Sequence, residues 1–212
     1  MIDFAQSFLF ILQGVSITIQ YTVLAFIIGG VLGTVLALLK FNRKAVWLIN
    51  GYISFIRGTP LLVQLTLVYF VLPGLLGINI PIFIAGVIAF SLNSSAYIAE
   101  IIRAGLNSIE SGQFEVSKAL HIPSFLMWKD IILPQALRNI LPALINEMIS
   151  LLKETAIIST LGEQDIMRRA QLVAAEQYTY LLPLCTAAIC YYGLTMMLEQ
   201  AGKKVEKVLA YD

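Results

Sequence analysis

The chain has 212 residues, of which 58% are apolar and 13% are charged. Soluble domains contain roughly 45–50% apolar and 25% charged residues, so this composition excludes an ordinary soluble globule and indicates a membrane protein. The net charge of +1 gives no electrostatic reason to expect a nucleic-acid partner.

Three long stretches contain no charged residue: between Asp3 and Lys40, between Arg57 and Glu100, and between Glu176 and Glu199. Each exceeds the roughly 20 residues that a helix needs to cross a bilayer. The sequence therefore predicts an all-α membrane protein, a single domain over residues 1–212. We place five spanning helices near 17–39, 61–76, 81–102, 140–159 and 180–198. A short interfacial helix over 4–13 is expected to lead into the first span.

The first predicted span contains Gly29 and Gly33, a GxxxG spacing. Glycines four residues apart lie on one face of a helix and let a second backbone approach closely. The spacing predicts a close helix pair but does not show which helix is the neighbour.

The predicted loop over 104–138 contains an unusual stretch, QFEVSKALHIPSFLMWKDIILPQA, at residues 113–136. The charge of Glu115 cannot lie in hydrocarbon, whereas Trp128 needs cover from water, so this stretch should lie on the membrane surface or dock into a partner. Pro123 cannot donate a backbone hydrogen bond and disfavours helical angles in the preceding residue. The pattern predicts a short helix, a break after His121 and a second helix.

Basic residues indicate the orientation. Eleven of the 14 lysine and arginine residues lie between spans one and two, between spans three and four, or in the C-terminal tail. Because cytoplasmic loops are enriched in lysine and arginine, these three regions are predicted to be cytoplasmic. With five spans, the N-terminus is then outside and the C-terminus is cytoplasmic. Arg168 and Arg169 fall on the external side, so the bias is incomplete.

The predicted fourth span carries a repeated polar pattern. Two sets of polar residues repeat every seven positions: Asn139, Asn146 and Lys153, and, one position later, Glu147 and Glu154. Seven residues are almost two helical turns, so these five residues and Ser150 share one face of the helix. An ionisable group in mid-membrane costs about 2.5–3.5 kcal/mol, so this face should line a pathway or a subunit interface. We expect the helix to begin after Pro142, which puts Glu154 about 18 Å along it, near the middle of a roughly 30 Å hydrocarbon layer.

A carboxylate at Glu154, beside Lys153 and Thr155, is suited to bind the ammonium and carboxylate groups of an amino acid. Gln64 and Asn93, on the second and third spans, are uncharged polar residues that can complete such a site. Two alternatives stay open. Lys153 and Glu154 can instead neutralise each other at a subunit interface, and Gln64 and Asn93 can serve only as helix–helix hydrogen bonds.

The sequence contains no GxxxxGK[ST] phosphate-binding loop, because its one Gly-Lys pair, Gly202-Lys203, is followed by Lys204. The chain is not expected to bind ATP by that route. The single histidine, His121, and the lack of GxSxG and HExxH motifs argue against an intramembrane hydrolase. An ATP-independent secondary amino acid transporter or channel remains as the alternative, although no internal repeat of the kind common in secondary transporters is evident.

Four segments, in chain order, resemble the signatures of one family. They are Arg57 to Gln64, identical to RGTPLLVQ; Ser95 to Gly105, similar to AAYxAEIxRGG; Glu115 to Pro134, similar to the EAA loop; and Leu152 to Thr155, similar to LKDT. In the EAA-like segment, His121 stands where the family pattern has glycine. The chain resembles the membrane-spanning permease subunits of ABC importers, in the branch that takes up polar amino acids.

This resemblance implies a type I ABC importer permease fold and ATP-driven import of a polar amino acid, such as glutamine or arginine, by alternating access across the bacterial cytoplasmic (inner) membrane. The implied partners are a cytoplasmic ABC ATPase dimer, a second permease subunit that is identical or a paralogue, an external amino-acid-binding protein, the amino acid and the lipid membrane. The chain itself would hold no cofactor, metal ion or catalytic site, because the ATPase would bind ATP and Mg. Coupling to that ATPase would use Glu115, Ser117, Ala119, Leu120 and His121.

Overall fold

The computed structural model describes residues 4–210, so residues 1–3 and 211–212 of the predicted domain lie outside the described residues. The described chain is helical almost throughout and contains no β-strand, which confirms the predicted all-α class. In chain order the α-helices are α1 (Phe4–Leu12), α2 (Gly14–Phe41), α3 (Val46–Gly58), α4 (Leu61–Thr66), α5 (Leu72–Leu76), α6 (Ile82–Asn107), α7 (Ser111–Ala119), α8 (Ser124–Leu126), α9 (Leu133–Glu154), α10 (Ile166–Gln177) and α11 (Leu181–Ala210). A 3-10 helix, Thr155–Leu161, follows α9.

Within residues 4–210, three helical segments are long and apolar enough to cross a membrane: Ala5–Phe41, Ile82–Asn107 and Leu181–Val208. They correspond to the predicted first, third and fifth spans. A fourth candidate is a bent pair, α3 followed by Leu61–Leu76, whose two arms differ in direction by 107°. The predicted fourth span lies in α9, which is not among these apolar helices. It contains four ionisable residues, Arg138, Glu147, Lys153 and Glu154.

A helix is present at the N-terminal end, but it is not separate from the first span. Only Gln13 lies between α1 and α2, and it keeps helical angles, with φ −60° and ψ −24°. The combined helix has 37 residues and is about 55 Å long, more than a bilayer needs. Ile11 of α1 is buried against Ile166 and Ala170 of α10. The predicted interfacial helix over 4–13 is therefore continuous with α2. It is covered by α10 on one face only, since Phe8, Leu9 and Leu12 are exposed, and its interfacial placement stays a prediction.

The start of α9 differs from the prediction. The helix begins at Leu133, with Pro134 in its first turn, and Pro142 lies inside it. An interior proline leaves the carbonyl of Arg138 without its helical donor, and neighbouring helices in membrane proteins make such an interruption tolerable. The distance of about 18 Å from Pro142 to Glu154 is therefore not a distance from the start of the helix, and the depth of Glu154 in a membrane stays a prediction.

Two π-helical turns, Leu67–Val71 and Met127–Ile132, precede α5 and α9. At the end of each turn a backbone N–H reaches five residues back, from Leu72 to Leu67 and from Leu133 to Trp128. The next residue is a proline in both cases. A proline ring clashes with the carbonyl four residues before it, and the wider π turn makes room for it.

The GxxxG pair of α2 packs against α6. A Cβ atom added at Gly33 would lie 2.8 Å from the backbone oxygen of Ser95, and one added at Gly29 would lie 2.9 Å from the Cβ of Ser94. A Cβ at Gly30, on another face of α2, would meet nothing within 4 Å. The unnamed neighbour of the GxxxG pair is thus α6.

Helix α3 was predicted as part of a cytoplasmic linker. Its buried residues Ile49, Ile53 and Ile56 follow helical spacing and pack against Ala96 and Ala99 of α6. This apolar stripe explains why the segment folds as a helix and why its end lies beside the middle of α6.

Candidate functional site

Helices α6 and α9 meet along a line of polar contacts, which we call the α6–α9 seam. Its three hydrogen bonds are Asn139 Nδ2 to Ser108 Oγ at 2.8 Å, Ser94 Oγ to Glu147 Oε1 at 2.9 Å, and Asn93 Nδ2 to Glu154 Oε2 at 3.4 Å. Ser94 is fully buried and Asn93 is 5% exposed, so both donors are fixed within the helix contact. The seam places two carboxylates against α6.

Glu147 and Glu154 are both partly buried. Neither forms an ion pair with a lysine or arginine in the part of the chain that the structure describes. A buried carboxylate without a cationic partner is costly, and in a membrane such groups mark substrate or ion pathways. The pair therefore offers a place for a positively charged group.

The predicted polar face of α9 divides into two. Lys153 and Asn146 are exposed, while Glu147 and Glu154 turn toward α6. The predicted residues Asn93 and Glu154 are in contact, across 61 positions of the chain. Glu147 was not among the predicted site residues. Its position seven residues before Glu154, on the same helix face, was the sequence feature that could have identified it.

Two other predicted site residues are engaged elsewhere. Gln64, 6% exposed, donates from Nε2 to the backbone oxygens of Ile56 at 2.8 Å and Thr59 at 3.1 Å, which fixes the bend between α3 and α4. Thr155 is fully buried and its hydroxyl donates to the oxygen of Leu152 at 2.7 Å, where α9 tightens into the 3-10 helix. Both residues shape the backbone around the seam.

The EAA-like segment has the predicted form of helix, break and helix. His121 lies beyond the end of α7 with φ +54°, in the left-handed region. The N–H of Ile122 donates to Ser117 O at 3.0 Å, and the N–H of His121 to Lys118 O at 3.0 Å. These bonds close the helix end in the way that a glycine usually does. The histidine therefore adopts the conformation for which the family pattern has glycine.

One side of this segment is anchored and the other is bare. Trp128 stacks edge-on against Phe41 at 5.4 Å and contacts Phe114 at 6.0 Å, and Ser117 is buried. The exposed side chains on the other side are Glu115, Val116, Ala119, Leu120 and Phe125. Leu120 is 67% exposed and Phe125 is 72% exposed, so apolar surface remains uncovered.

At the opposite end of the fold, α10 is fixed to its neighbours through Asp165. The carboxylate accepts hydrogen bonds from the N–H of Arg168 at 2.8 Å and from the hydroxyl of Tyr191 at 3.0 Å. Burial raises the pKa of Asp165 above its ordinary value, against the lowering effect of these donors. Arg169 adds a bond to Gln13 Oε1 at 2.9 Å, which joins α10 to the start of α2.

Residues 29–203 match the family described as binding-protein-dependent transport system inner membrane component. A putative glutamine transport system permease protein of Rickettsia typhi is 52% identical over 98% of this chain and 96% of its own length. The arginine transport system permease protein of Bacillus subtilis is 50% identical over 94% of this chain and 92% of its own.

Solved structures agree with this assignment. An amino acid ABC transporter, crystallised with histidines, has a chain that superposes with a TM-score of 0.88 at 38% identity, over 98% of this chain and 99% of that one. A chain of the MetNI methionine ABC transporter superposes with a TM-score of 0.70 at 18% identity, which shows the shared fold. The predicted family and type I importer fold are confirmed: the chain is an ABC permease and belongs to the binding-protein-dependent transport system inner membrane components.

Proposed function

We propose that this permease carries a polar amino acid across the bacterial cytoplasmic membrane, and that the substrate's ammonium group binds Glu154 in the α6–α9 seam. The observation that carries the proposal is the pair of partly buried carboxylates, Glu147 and Glu154, without an ion-pair partner in the described chain. The relatives named for glutamine and arginine transport support the substrate class.

Each neighbour of Glu154 has a role in this proposal. The bond from Asn93 is long, at 3.4 Å, so an arriving ammonium group can displace it at little cost. Lys153 is exposed, and in this proposal its flexible side chain reaches the substrate carboxylate. Because the site carries two carboxylates and one lysine, it suits a substrate with a second positive charge, such as arginine, better than the neutral amide of glutamine.

The EAA-like segment would couple this site to a cytoplasmic ABC ATPase dimer, which would bind ATP and Mg. Leu120 and Phe125 supply apolar area for insertion into a groove, and Glu115 supplies a charge beside them. Trp128 and Phe114 would pass movement of the ATPase to α2 and to the start of α9. A second permease subunit and an external amino-acid-binding protein complete the proposed importer.

In this arrangement the N-terminus is outside and the C-terminus is cytoplasmic. The basic residues support this orientation, which also directs the EAA-like segment toward the compartment that contains ATP. Protease added outside intact cells is expected to cut within 162–177 and to spare 113–130. The reverse pattern would overturn both the orientation and the coupling role.

The central test uses the complete importer, with its ATPase and binding protein, reconstituted in liposomes. Glu154→Gln keeps the shape of the side chain and removes its charge, and we expect amino acid uptake to fall roughly tenfold or more, the equivalent of one charge-assisted hydrogen bond. Glu176→Gln, an exposed glutamate on α10, is the matched control and should leave uptake unchanged.

Unchanged uptake in Glu154→Gln, together with loss of the permease pair in Lys153→Gln, would favour the interface role for these residues. Uptake by this chain alone, without an ATPase, would instead favour a secondary transporter or channel.

A further inference from the structure

A cavity that is open on one side lies on the half of the α6–α9 seam away from Glu154. Its volume is about 810 Å³, it is bounded by the end of α3, the second half of α6 and the first half of α9, and its arginine side chains are exposed. Its polar lining includes Arg57, Tyr97, Glu100, Arg103, Arg138 and Asn139. We call it the arginine cavity. Asn139 and Ser108, the first hydrogen-bonded pair of the seam, are part of its wall.

Two of the family-like segments meet at this cavity. Arg57 comes from the RGTPLLVQ segment, and Tyr97 and Arg103 come from the SAYIAEIIRAG segment. The guanidinium carbon of Arg57 lies 5.2 Å from the centre of the Tyr97 ring, a cation–π contact that directs the arginine. Neither segment supplies a hydrogen bond to Glu147 or Glu154, whose donors are Ser94 and Asn93, so the charged residues of these segments lie at a different place.

The positive charges of the cavity are only partly compensated. The Glu100 carboxylate accepts bonds from Lys40 Nζ at 2.9 Å and from Arg103 Nη2 at 2.7 Å, so its charge is already paired. Arg57 and Arg138 form no ion pair among the residues that the structure describes. Two guanidinium groups in one concave wall attract an anion, and their planar donors fit a carboxylate in particular.

The volume and lining suit a small molecule. Ligand sites usually measure about 300–1,000 Å³ and combine apolar walls with a few polar groups. Here Ile101, Ala104 and Ala143 supply apolar wall beside the arginines.

We propose that the arginine cavity is a second ligand site of the transport path, which takes the α-carboxylate of the amino acid after the substrate leaves Glu154. This step rests on the proposed function. Arg138 and Glu154 are 16 positions apart on α9, about 24 Å, and Glu147 lies between them, about 14 Å from Arg138. One amino acid cannot touch Arg138 and Glu154 together, so these two residues are occupied in succession.

The order in which the two sites bind the substrate gives the transport path a direction. The ammonium group is held first, at the carboxylates, and the carboxylate group is held second, at the arginines. The cavity lies toward the ends of the helices where basic residues are abundant, which the orientation assigns to the cytoplasm. The arginine cavity is thus a release site.

The test measures equilibrium binding of labelled arginine and of labelled argininamide, which lacks the carboxylate, to the permease–ATPase complex in nanodiscs of uncharged phosphatidylcholine. The binding protein is left out, because its own amino acid site would add to the count. The unsubstituted importer should bind two arginines per permease chain but only one argininamide. Arg138→Gln and Arg57→Gln should weaken the carboxylate-dependent site roughly tenfold or more. Arg138→Lys, which keeps the charge, should recover part of that affinity and separates loss of charge from loss of folding.

Lys44→Gln, an exposed cation outside the cavity, is the matched control and should bind like the unsubstituted importer. Equal binding of arginine and argininamide, or arginine binding that is unaffected by both arginine substitutions, would overturn the proposal. A carboxylate-dependent site that persists in Glu154→Gln would support the cavity even if Glu154 itself proved not to bind substrate, so the two proposals fail separately.

An anionic lipid headgroup offers similar chemistry, and a second arm addresses it. Phosphatidylglycerol is added to the nanodiscs in increasing proportion. Displacement of arginine from the carboxylate-dependent site by this lipid, with only one arginine bound per chain, would assign the cavity to lipid and overturn the release site. Binding of two arginines at every lipid composition would support it.

Discussion

Helix α6 packs against two helices, α2 and α9, through residues of different kinds. Toward α2 it meets Gly29 and Gly33, whose missing side chains let the two backbones approach. Toward α9 it presents Asn93 and Ser94 to the carboxylates of the seam. The first contact is a close crossing of small residues, since the glycines face Ser91, Ser94 and Ser95, and the second holds charge in a place where charge is costly.

The difference separates what stabilises the fold from what serves the substrate. In a bilayer, close packing of small residues drives helix association, so the α2–α6 contact contributes stability. A partly buried carboxylate without an ion pair contributes little stability and often costs some. Helix α6 thus packs on α2 and presents the site toward α9, and Ser94 belongs to both contacts.

The largest expected effect comes from filling the α2–α6 contact. Gly33→Leu would force side-chain atoms into the space of the Ser95 backbone oxygen, only 2.8 Å from the new Cβ, and of the Ile98 side chain. Backbone cannot yield as a side chain can, and overpacking costs about 1–3 kcal/mol or more. We expect a permease that unfolds at much lower temperature in detergent, or that no longer accumulates in the membrane.

Gly30→Leu is the control for this prediction. It adds the same side chain three residues away on the same helix, where a Cβ meets no other atom within 4 Å. We expect nearly normal stability. Equal unfolding temperatures for the two variants would contradict the assignment of the GxxxG pair to α6.

The second prediction concerns the seam, where stability and transport should move in opposite directions. Glu147→Met replaces a partly buried carboxylate with an apolar side chain of similar length. Replacing buried charges by apolar groups is often neutral or stabilising, and the Ser94 hydroxyl, which loses its acceptor, can donate to a backbone carbonyl of its own helix instead. The unfolding temperature should therefore stay the same or rise. Uptake by the reconstituted importer should fall roughly tenfold or more, because one carboxylate of the proposed site is lost.

The exposed Glu176 again gives a control, since Glu176→Met should leave uptake unchanged. A less stable Glu147→Met variant that transports normally would mean that the seam carboxylate is structural.

The helices that pack around α6 were not equally predictable from the sequence. The long apolar helices were evident because a charge-free stretch has few other uses. Helix α3 was missed because its buried stripe of Ile49, Ile53 and Ile56 acquires meaning only against Ala96 and Ala99, which lie far along the chain. From sequence alone, a short amphipathic helix between basic residues cannot be distinguished from a linker, because the packing partner, here α6, is not known.

The site shows the same limit at the level of single side chains. Contact between Asn93 and Glu154 follows from two polar residues on neighbouring helices. The engagement of Gln64 with the α3–α4 bend and of Thr155 with its own helix end depends on local backbone geometry that residue type does not reveal. The left-handed His121 is a further case, since its residue type argued against a conformation that the helix end requires.

The third prediction tests whether the seam is held by hydrogen bonds. Ser94→Ala removes the donor to Glu147 Oε1, a bond of 2.9 Å between a buried hydroxyl and a partly buried carboxylate. Leaving a buried polar group unpaired costs about 1–3 kcal/mol, which should appear as a lower unfolding temperature. In the Glu147→Met background the same substitution should cost much less. Additive effects in the double variant would show that Ser94 and Glu147 act independently.

The smallest expected effect is that of a single methyl group where the seam also contains a glycine. A Cβ at Gly105 of α6 would overlap Cγ1 of Ile140 on α9 and lie 2.9 Å from its Cδ1, so both close contacts are with one side chain. Because isoleucine in a helix is stiff at χ1, Ile140 makes room by a rotamer change or a small shift, and Gly105→Ala should cost about 1–3 kcal/mol, less than the whole leucine side chain added at Gly33.

The clash at Gly105 is with a side chain, so a second substitution that shortens this side chain can relieve it. The clash at Gly33 is with backbone and cannot be relieved in this way. Ile140→Ala removes Cγ1 and Cδ1 and leaves Cβ at 3.4 Å from the position of the new methyl group. The truncation alone should destabilise by about 2–5 kcal/mol through the space it opens, and Gly105→Ala should then fill part of that space. In a four-protein thermal unfolding cycle we expect the double variant to be more stable than the sum of the single effects predicts. No truncation can relieve Gly33→Ala in this way, because its nearest neighbour is the backbone oxygen of Ser95. Additivity at Gly105 and Ile140 would show that α6 and α9 separate to admit the methyl group, and that the seam is looser than its polar contacts indicate.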